Sequence, residues 1–257
     1  MTLAIAFDAL SGVDGSARFT FGSTIALASV SGPITPRLAA EHPVRATIDI
    51  HVRPLSAVPS TSEKHAAIAL KGVLERACIL AQHPRTSIQV VVQALSPSSS
   101  ISGGKDMDQD VHADVRLAAQ VNAASLALLN AGSIPMRGVV CAVAVAQPQS
   151  ASTSASPSAA QPQLVADPSH ARDDTCPTYI STGCFAFLFG VDQDASSGAN
   201  GVIPPAKTIW TNYRARPGHA FSPTALAQAE KVALEGAVGV WAVMKESLGA
   251  GYGLSSS

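Results

Sequence analysis

DVRLAAQVNAASLALLNAGSIPM, residues 114–136, carries a single cation, Arg116, in a run that is otherwise almost wholly apolar. The run reads as an apolar helix with Arg116 on its first turn. Gly132 is its stop, since glycine alone takes the left-handed conformation that ends a helix without steric cost. Asp110 or Asp114 is placed to cap its start. Downstream, GVVCAVAVAQ (residues 138–147) has the character of a buried strand. Upstream, PSSSISGGKDMDQDVHAD (residues 97–114) reads as a polar loop.

Further toward the start, TSIQVVVQALS (residues 86–96) is a β-branched strand. Before it, Ala66, Ala67, Leu70, Val73, Leu74, Ala77 and Cys78 recur at three and four residues, which predicts an amphipathic helix over Ser60–Gln82. Ser60 or Thr61 caps it, with Glu63 or Lys64 in the first turn. PVRATIDIHVRP (residues 43–54) alternates: Ala46, Ile48, Ile50 and Val52 face one way, and Arg45, Thr47, Asp49, His51 and Arg53 the other. RFTFGSTIALASVSG (residues 18–32) is a hairpin broken at Gly22 and Ser23.

In the second half, QLVAD, YISTGCFAFLFG and KTIWTNY read as strands. A final helix spans about Pro223 to Leu248 and turns Ala227, Val232, Ala233, Ala237, Val240, Trp241 and Met244 inward. Three polar stretches, residues 97–112, 148–162 and 192–201, hold too few large apolar groups to offset their ordering entropy and are expected to be disordered insertions within a single domain over residues 1–257. The order of elements is that of an α+β domain with helices packed on mixed sheets.

Composition narrows the functions. With 47% hydrophobic residues the chain can bury a large core, and a formal net charge of -1 excludes nucleic-acid binding by bulk charge. Any RNA contact must therefore be local. Four widely spaced cysteines without a C-x-x-C give neither a zinc site nor a dense disulfide framework, and a reducing compartment is expected. The start has no basic segment ahead of its apolar residues and meets Asp8 early, so a signal peptide is not expected, nor is a membrane span.

DGSARFTFGSTIALASVSGPITPR (residues 14–37), HPRTSIQVVVQ (83–93), NAASLALLNAGSIPM (122–136), LVADPS (164–169) and VMKESL (243–248) occur in that order. Together they resemble the RNase PH superfamily, and within it the ring subunits of the eukaryotic RNA exosome. The resemblance implies an RNase PH-like fold of duplicated βαβα units and a ring of six subunits around a channel for single-stranded RNA. It implies as partners other ring subunits of the RNase PH type and RNA-binding cap subunits, and a location in nucleus, nucleolus and cytoplasm. Active relatives cleave RNA from its 3′ end with inorganic phosphate. They hold that phosphate with arginines and keep an aspartate beside the scissile bond, because one anion attacks another only where fixed cations neutralise the transition state.

The resemblance sets one such arginine at Leu117, one step from Arg116, and one step on a helix is a rotation of about 100°. A second belongs just before the first helix, where SAVPSTSEKHAA has none. The aspartate belongs near the start of the strand after LVAD, and residues 175–191 hold no carboxylate; Asp173 and Asp174 are the nearest. The expectation is a non-catalytic subunit, without cofactor or metal, that supports ring assembly and threads RNA for 3′-to-5′ processing and degradation. The alternative is an active phosphate-dependent 3′-to-5′ exoribonuclease, with Arg116 on phosphate and Asp173 or Asp174 as acid. A metal-dependent hydrolytic nuclease and a purely architectural subunit are further rivals.

Lys64, Arg85, Arg116, Arg53, Arg45 and Arg37 are the candidate RNA-binding residues, with Lys64 and Arg116 foremost because both sit in first helical turns, where anions are favoured. Two other motifs fail. Asp106, Asp108 and Asp110 are spaced like a calcium loop, but Val111 stands at its glycine and Leu117 at its closing glutamate. GGKD lacks the first glycine and the Ser or Thr of a P-loop. His51 and His83 read as structural.

Overall fold

The hairpin forms where Gly22 and Ser23 place it. β1 (Leu3–Ala6), β2 (Gly15–Phe21) and β3 (Thr24–Ile34) are antiparallel, and Phe21 faces Thr24 across a two-residue turn in which Gly22 has φ +58. β4 (Thr47–Arg53), α1 (Thr61–Ala77) and β5 (Ser87–Ala94) then make a parallel pair joined by a helical crossover, and the first sheet runs β1-β2-β3-β5-β4. These assignments come from a computed structural model, which describes residues 3–8, 10–56, 58–96, 106–148, 163–165, 179–190, 204–219 and 221–251.

After α2 (Asp106–Ala131) come β6 (Gly138–Pro148), β7 (Gln163–Val165), β8 (Tyr179–Gly190), β9 (Ala206–Thr211), β10 (Arg214–Ala215) and α3 (Pro223–Gly251). The second sheet runs β10-β8-β6-β7 with β9 also on β8, and its described pairings are antiparallel. The architecture is α+β, with a mixed first sheet and packed helices.

The apolar run around Arg116 sits between the sheets. α2 packs on β2 and β3 on one side and on β6 and β8 on the other. That position explains why Val115, Ala118, Val121, Ala124 and Ala127 are all fully buried although they point around about two thirds of the helix, since a helix apolar on nearly every side belongs in an interior. Gly132 ends it with φ +63, its N–H donating to Leu128. α3 covers β6 and β8, where Trp241 stacks on Phe189 with ring centres 6.0 Å apart. Of its expected inward residues Ala227 is exposed, and Ala229 is buried instead.

Local pattern misses one strand and misplaces three boundaries. Leu3–Ala6, apolar but without a clear strand period, adds β1 to the edge of β2. α1 stops at Ala77 rather than Gln82, because Cys78 turns extended and bridges Met136 while Ile79 donates to the Pro135 carbonyl. α2 begins at Asp106, so the expected insertion over 97–112 overlaps its first turns, and Asp110 and Asp114 lie inside the helix rather than at its cap. Pro148, assigned to the second insertion, closes β6. Residues 97–105, 149–162 and 192–201 lie outside the described residues, as do Asp173 and Asp174.

Candidate functional site

Two parallel strands that end side by side, with a helix starting above them, leave a hollow at their carboxyl ends. Here that hollow is a cleft of about 210 Å³. Arg53 and Leu55 follow β4 into it, Ser96 follows β5, and Glu63 and His65 enter from the first turns of α1. α2 forms one wall with Asp110, Asp114, Arg116, Leu117 and Gln120, and Asn212 of the β9–β10 connection and Arg214 at the start of β10 close the far side.

The start of α1 is fixed by its own sequence. Ser60 Oγ accepts from the Ser62 N–H at 3.2 Å, and the Ser60 N–H donates to Glu63 Oε2 at 2.7 Å, a reciprocal capping box that satisfies helix-end groups. Glu63 Oε1 also accepts from Ser62 Oγ at 3.0 Å. Burial opposes ionisation of Glu63, but the hydrogen bonds from Ser60 and Ser62 outweigh it and hold its pKa below the usual carboxylate value.

Opposite, Asp110 and Asp114 are one helical turn apart and share Arg214. Arg214 Nη2 lies 3.1 Å from Asp110 Oδ1, and Nη1 donates to Asp114 Oδ1 at 3.2 Å. The Asp114 side chain, 2% exposed, also accepts from Thr182 Oγ1 at 2.9 Å and Asn212 Nδ2 at 2.8 Å. Burial raises its pKa, and Arg214, Asn212 and Thr182 pull in the other direction. The cluster ties α2 to β8 and to the β9–β10 connection.

Arg116 is half-buried in the cleft and, among the described residues, makes no hydrogen bond or ion pair. Burial lowers its pKa, and the field of Glu63 raises it in part. Leu117, where the family resemblance sets a phosphate-binding arginine, is buried. The cleft thus holds three arginines (Arg53, Arg116, Arg214) and three carboxylates (Glu63, Asp110, Asp114), so apart from His65 its formal charges cancel.

The structure brings Arg53 and Arg116 together here, while Lys64 is exposed on the same turn as Glu63 without lining the cleft. Arg37, Arg45 and Arg85 lie elsewhere. Arg45 and Arg85 precede β4 and β5, so the length of a strand, about 20 Å, separates them from the cleft end. Arg85 is 72% exposed, sits in the left-handed region with φ +59, and reaches Glu41 at 3.5 Å. His51 is exposed beside Asp49 at 3.3 Å.

The start of β8, where active relatives are expected to carry an aspartate, has the hydroxyls of Ser181 and Thr182. Ser181 meets Tyr213 Oη at 2.6 Å, and Thr182 meets Asp114. Among the described residues no group of three or more His, Cys, Asp and Glu is fit to hold a metal, and no helix is long and apolar enough to cross a membrane. Sequence reasoning missed Arg214, Asn212 and Thr182. The one signal for them was the pair Asp110 and Asp114, whose i, i+4 spacing stacks two carboxylates on one helix face and calls for a cation.

The family model of the 3′ exoribonuclease family, domain 1 (RNase PH), matches residues 2–133, half of the chain, the part that holds the parallel pair, its crossover helix and the central apolar helix. The chain belongs to the RNase PH family. The match ends just past α2, so the first sheet and the central helix carry it. Curated relatives include the exosome complex component rrp46 of Schizosaccharomyces pombe, 37% identical over 134 residues, which are 52% of this chain and 53% of the relative. The exosome complex component RRP41 of Homo sapiens is 37% identical over 142 residues, 50% of this chain and 51% of the relative. The chain thus spans about half the length of the curated relatives it matches.

Among solved structures, rice (Oryza sativa) Rrp46 superposes with a TM-score of 0.70 at 20% identity, covering 96% of this chain and 94% of that one. The Archaeoglobus fulgidus exosome with RNA bound to the active site superposes with a TM-score of 0.58 at 14% identity, over 93% and 86%. At these identities the likeness speaks for the fold, and it extends the RNase PH fold through the second sheet and α3.

Proposed function

We propose that this RNase PH-family chain is a non-catalytic ring subunit of the eukaryotic RNA exosome core. In this reading it supports assembly and guides single-stranded RNA toward a nuclease supplied by another protein. The observation that carries the reading is the charge balance of the cleft. Phosphorolysis needs a surplus of cations to bring phosphate against a phosphodiester, whereas here Arg214 is bound to Asp110 and Asp114 and Arg116 shares the cleft with Glu63. The likeness to Rrp46 relatives supports the ring role.

The partners in this reading are neighbouring RNase PH-type ring subunits, cap subunits and RNA, in nucleus, nucleolus and cytoplasm. β4 ends the first sheet with no described strand beyond it, and Leu38, 87% exposed, and Val44 lie in the segment leading into it. An open strand edge with apolar side chains nearby favours pairing with another subunit.

The competing reading, a phosphate-dependent 3′-to-5′ exoribonuclease, draws on Arg116, which enters the cleft without a hydrogen-bonding partner among the described residues. One assay separates the two. Purified protein incubated with single-stranded RNA, magnesium and inorganic phosphate releases no nucleoside diphosphates if the chain is non-catalytic. Phosphate-dependent release, reduced by Arg116→Gln, would establish the enzyme instead.

A further inference from the structure

Arg116 and Glu63 enter one cleft from two helices, α2 and α1. Half-buried and without a hydrogen bond among the described residues, Arg116 is short of partners for its five N–H donors. Such a group draws in whatever anion can reach it. Asp110 and Asp114 are not available, because both are bound to Arg214.

Glu63 differs from them. It has no bonded cation among the described residues, so no neighbouring cation cancels its charge, and hydrogen bonds hold it in place. One carboxylate oxygen is held by the Ser60 N–H and hydroxyl, the other by the Ser62 hydroxyl.

We infer that Glu63 is the built-in counter-anion of this cleft: held by the capping box in the cleft that Arg116 also lines, it excludes inorganic phosphate and similar small oxyanions. The inference rests on the non-catalytic reading and assigns one residue as a cause of it. A phosphate entering beside Arg116 would share the cleft with a like charge. At the effective dielectric of a partly buried site that repulsion is worth on the order of tenfold or more in affinity.

The chemistry of the cap permits a clean test. Glutamine serves in a capping box as glutamate does, so Glu63→Gln removes the charge and keeps the helix start. Isothermal titration of the full chain with inorganic phosphate, at ionic strength matched with sodium chloride, is the measurement.

Wild type is expected to show no saturable uptake, E63Q to bind phosphate at least about tenfold more tightly, and E63Q/R116Q to return to the wild-type result. Glu63→Ala, which drops both charge and cap, should show the same gain at a lower melting temperature. The inference is overturned if folded E63Q and E63A take up phosphate no better than wild type, or if the gain survives in E63Q/R116Q. In either case wild type that releases no nucleoside diphosphates leaves the non-catalytic reading standing, whereas diphosphate release by wild type would remove that reading itself.

Discussion

Asn122 and Ala142 exchange two hydrogen bonds. The side-chain amide donates to the Ala142 carbonyl at 2.9 Å, and its oxygen accepts from the Ala142 N–H at 2.7 Å. One turn on, Ser125 Oγ accepts from the Val140 N–H at 3.1 Å. β7 pairs with β6 only over Ala144–Ala146, so this part of the β6 edge is served by α2 side chains where a strand would otherwise lie. Asn122→Ala leaves two interior backbone groups unpaired at about 1–3 kcal/mol each. We expect a loss of about 3 kcal/mol, read from urea unfolding, and a loss below about 1 kcal/mol would contradict the role given to Asn122.

Gly15 and Gly12 separate two reasons for a glycine. A Cβ on Gly15 would collide with the backbone of Ala127 and Ala131, so the missing side chain is what lets β2 lie against α2. Gly12 has open space around it but φ +81. Gly15→Ala should therefore cost about 3 kcal/mol through overpacking. Gly12→Ala should cost about 1 kcal/mol through its backbone conformation alone. Melting temperatures of the two variants check this, and an equal or reversed order would show that α2 yields to the added methyl.

Arg214 compensates a carboxylate that is almost wholly out of water. Arg214→Met leaves Asp114 with only Thr182 and Asn212. Breaking a fully buried pair costs about 3–5 kcal/mol, and because Arg214 is 35% exposed we expect about 2 kcal/mol at pH 7. Burial already raises the Asp114 pKa above 3.8, and loss of the cation raises it further. A raised carboxyl favours folding most when protonated, so its contribution is present at low pH and lost as pH rises through the folded value. The stability deficit of R214M should accordingly shrink as pH falls from about 7 toward about 5. Urea midpoints for both proteins at the two pH values decide it, and a constant or widening deficit would argue that Asp114 stays ionised without Arg214.

What the sequence made legible depends on how far apart the deciding partners lie. The β2–β3 turn at Gly22 and Ser23, the alternation of Ala46, Ile48, Ile50 and Val52, and the Ser60 cap are all settled within a few residues, and each forms as its pattern implies. The end of α1 depends on Cys78 meeting Met136, and the first turns of α2 depend on Arg214, 100 residues after Asp114. The first event has no local sign, and the second has only the i, i+4 spacing of Asp110 and Asp114. The cleft divides in the same way: Arg53 stands out as a cation at the end of β4, whereas Arg116, expected in a first helical turn, lies ten residues into α2, and Asn212 and Arg214 reach the cleft from the second sheet. Arg45 and Arg85 also sit at strand ends, but at the amino ends, and only the parallel pairing of β4 and β5 shows that these face away from the cleft.

The Ser60 cap gives a prediction whose sign is opposite to that of Asp114. The hydrogen bonds from Ser60 and Ser62 hold Glu63 below 4.5 despite its burial. A lowered carboxyl contributes stability that is present above the unfolded value and lost as pH falls through the folded one. Ser60→Ala removes the acceptor for the Ser62 N–H and one donor to Glu63, so at pH 7 it should cost about 1 kcal/mol. Part of that cost is the support given to the ionised carboxylate, and it disappears once Glu63 is protonated in both proteins. The gap between wild type and S60A in urea midpoint should therefore narrow as pH drops below 4.5. A gap that stays constant down to about pH 3.5 would mean that Ser60 serves the helix backbone alone and does not hold the Glu63 charge in place.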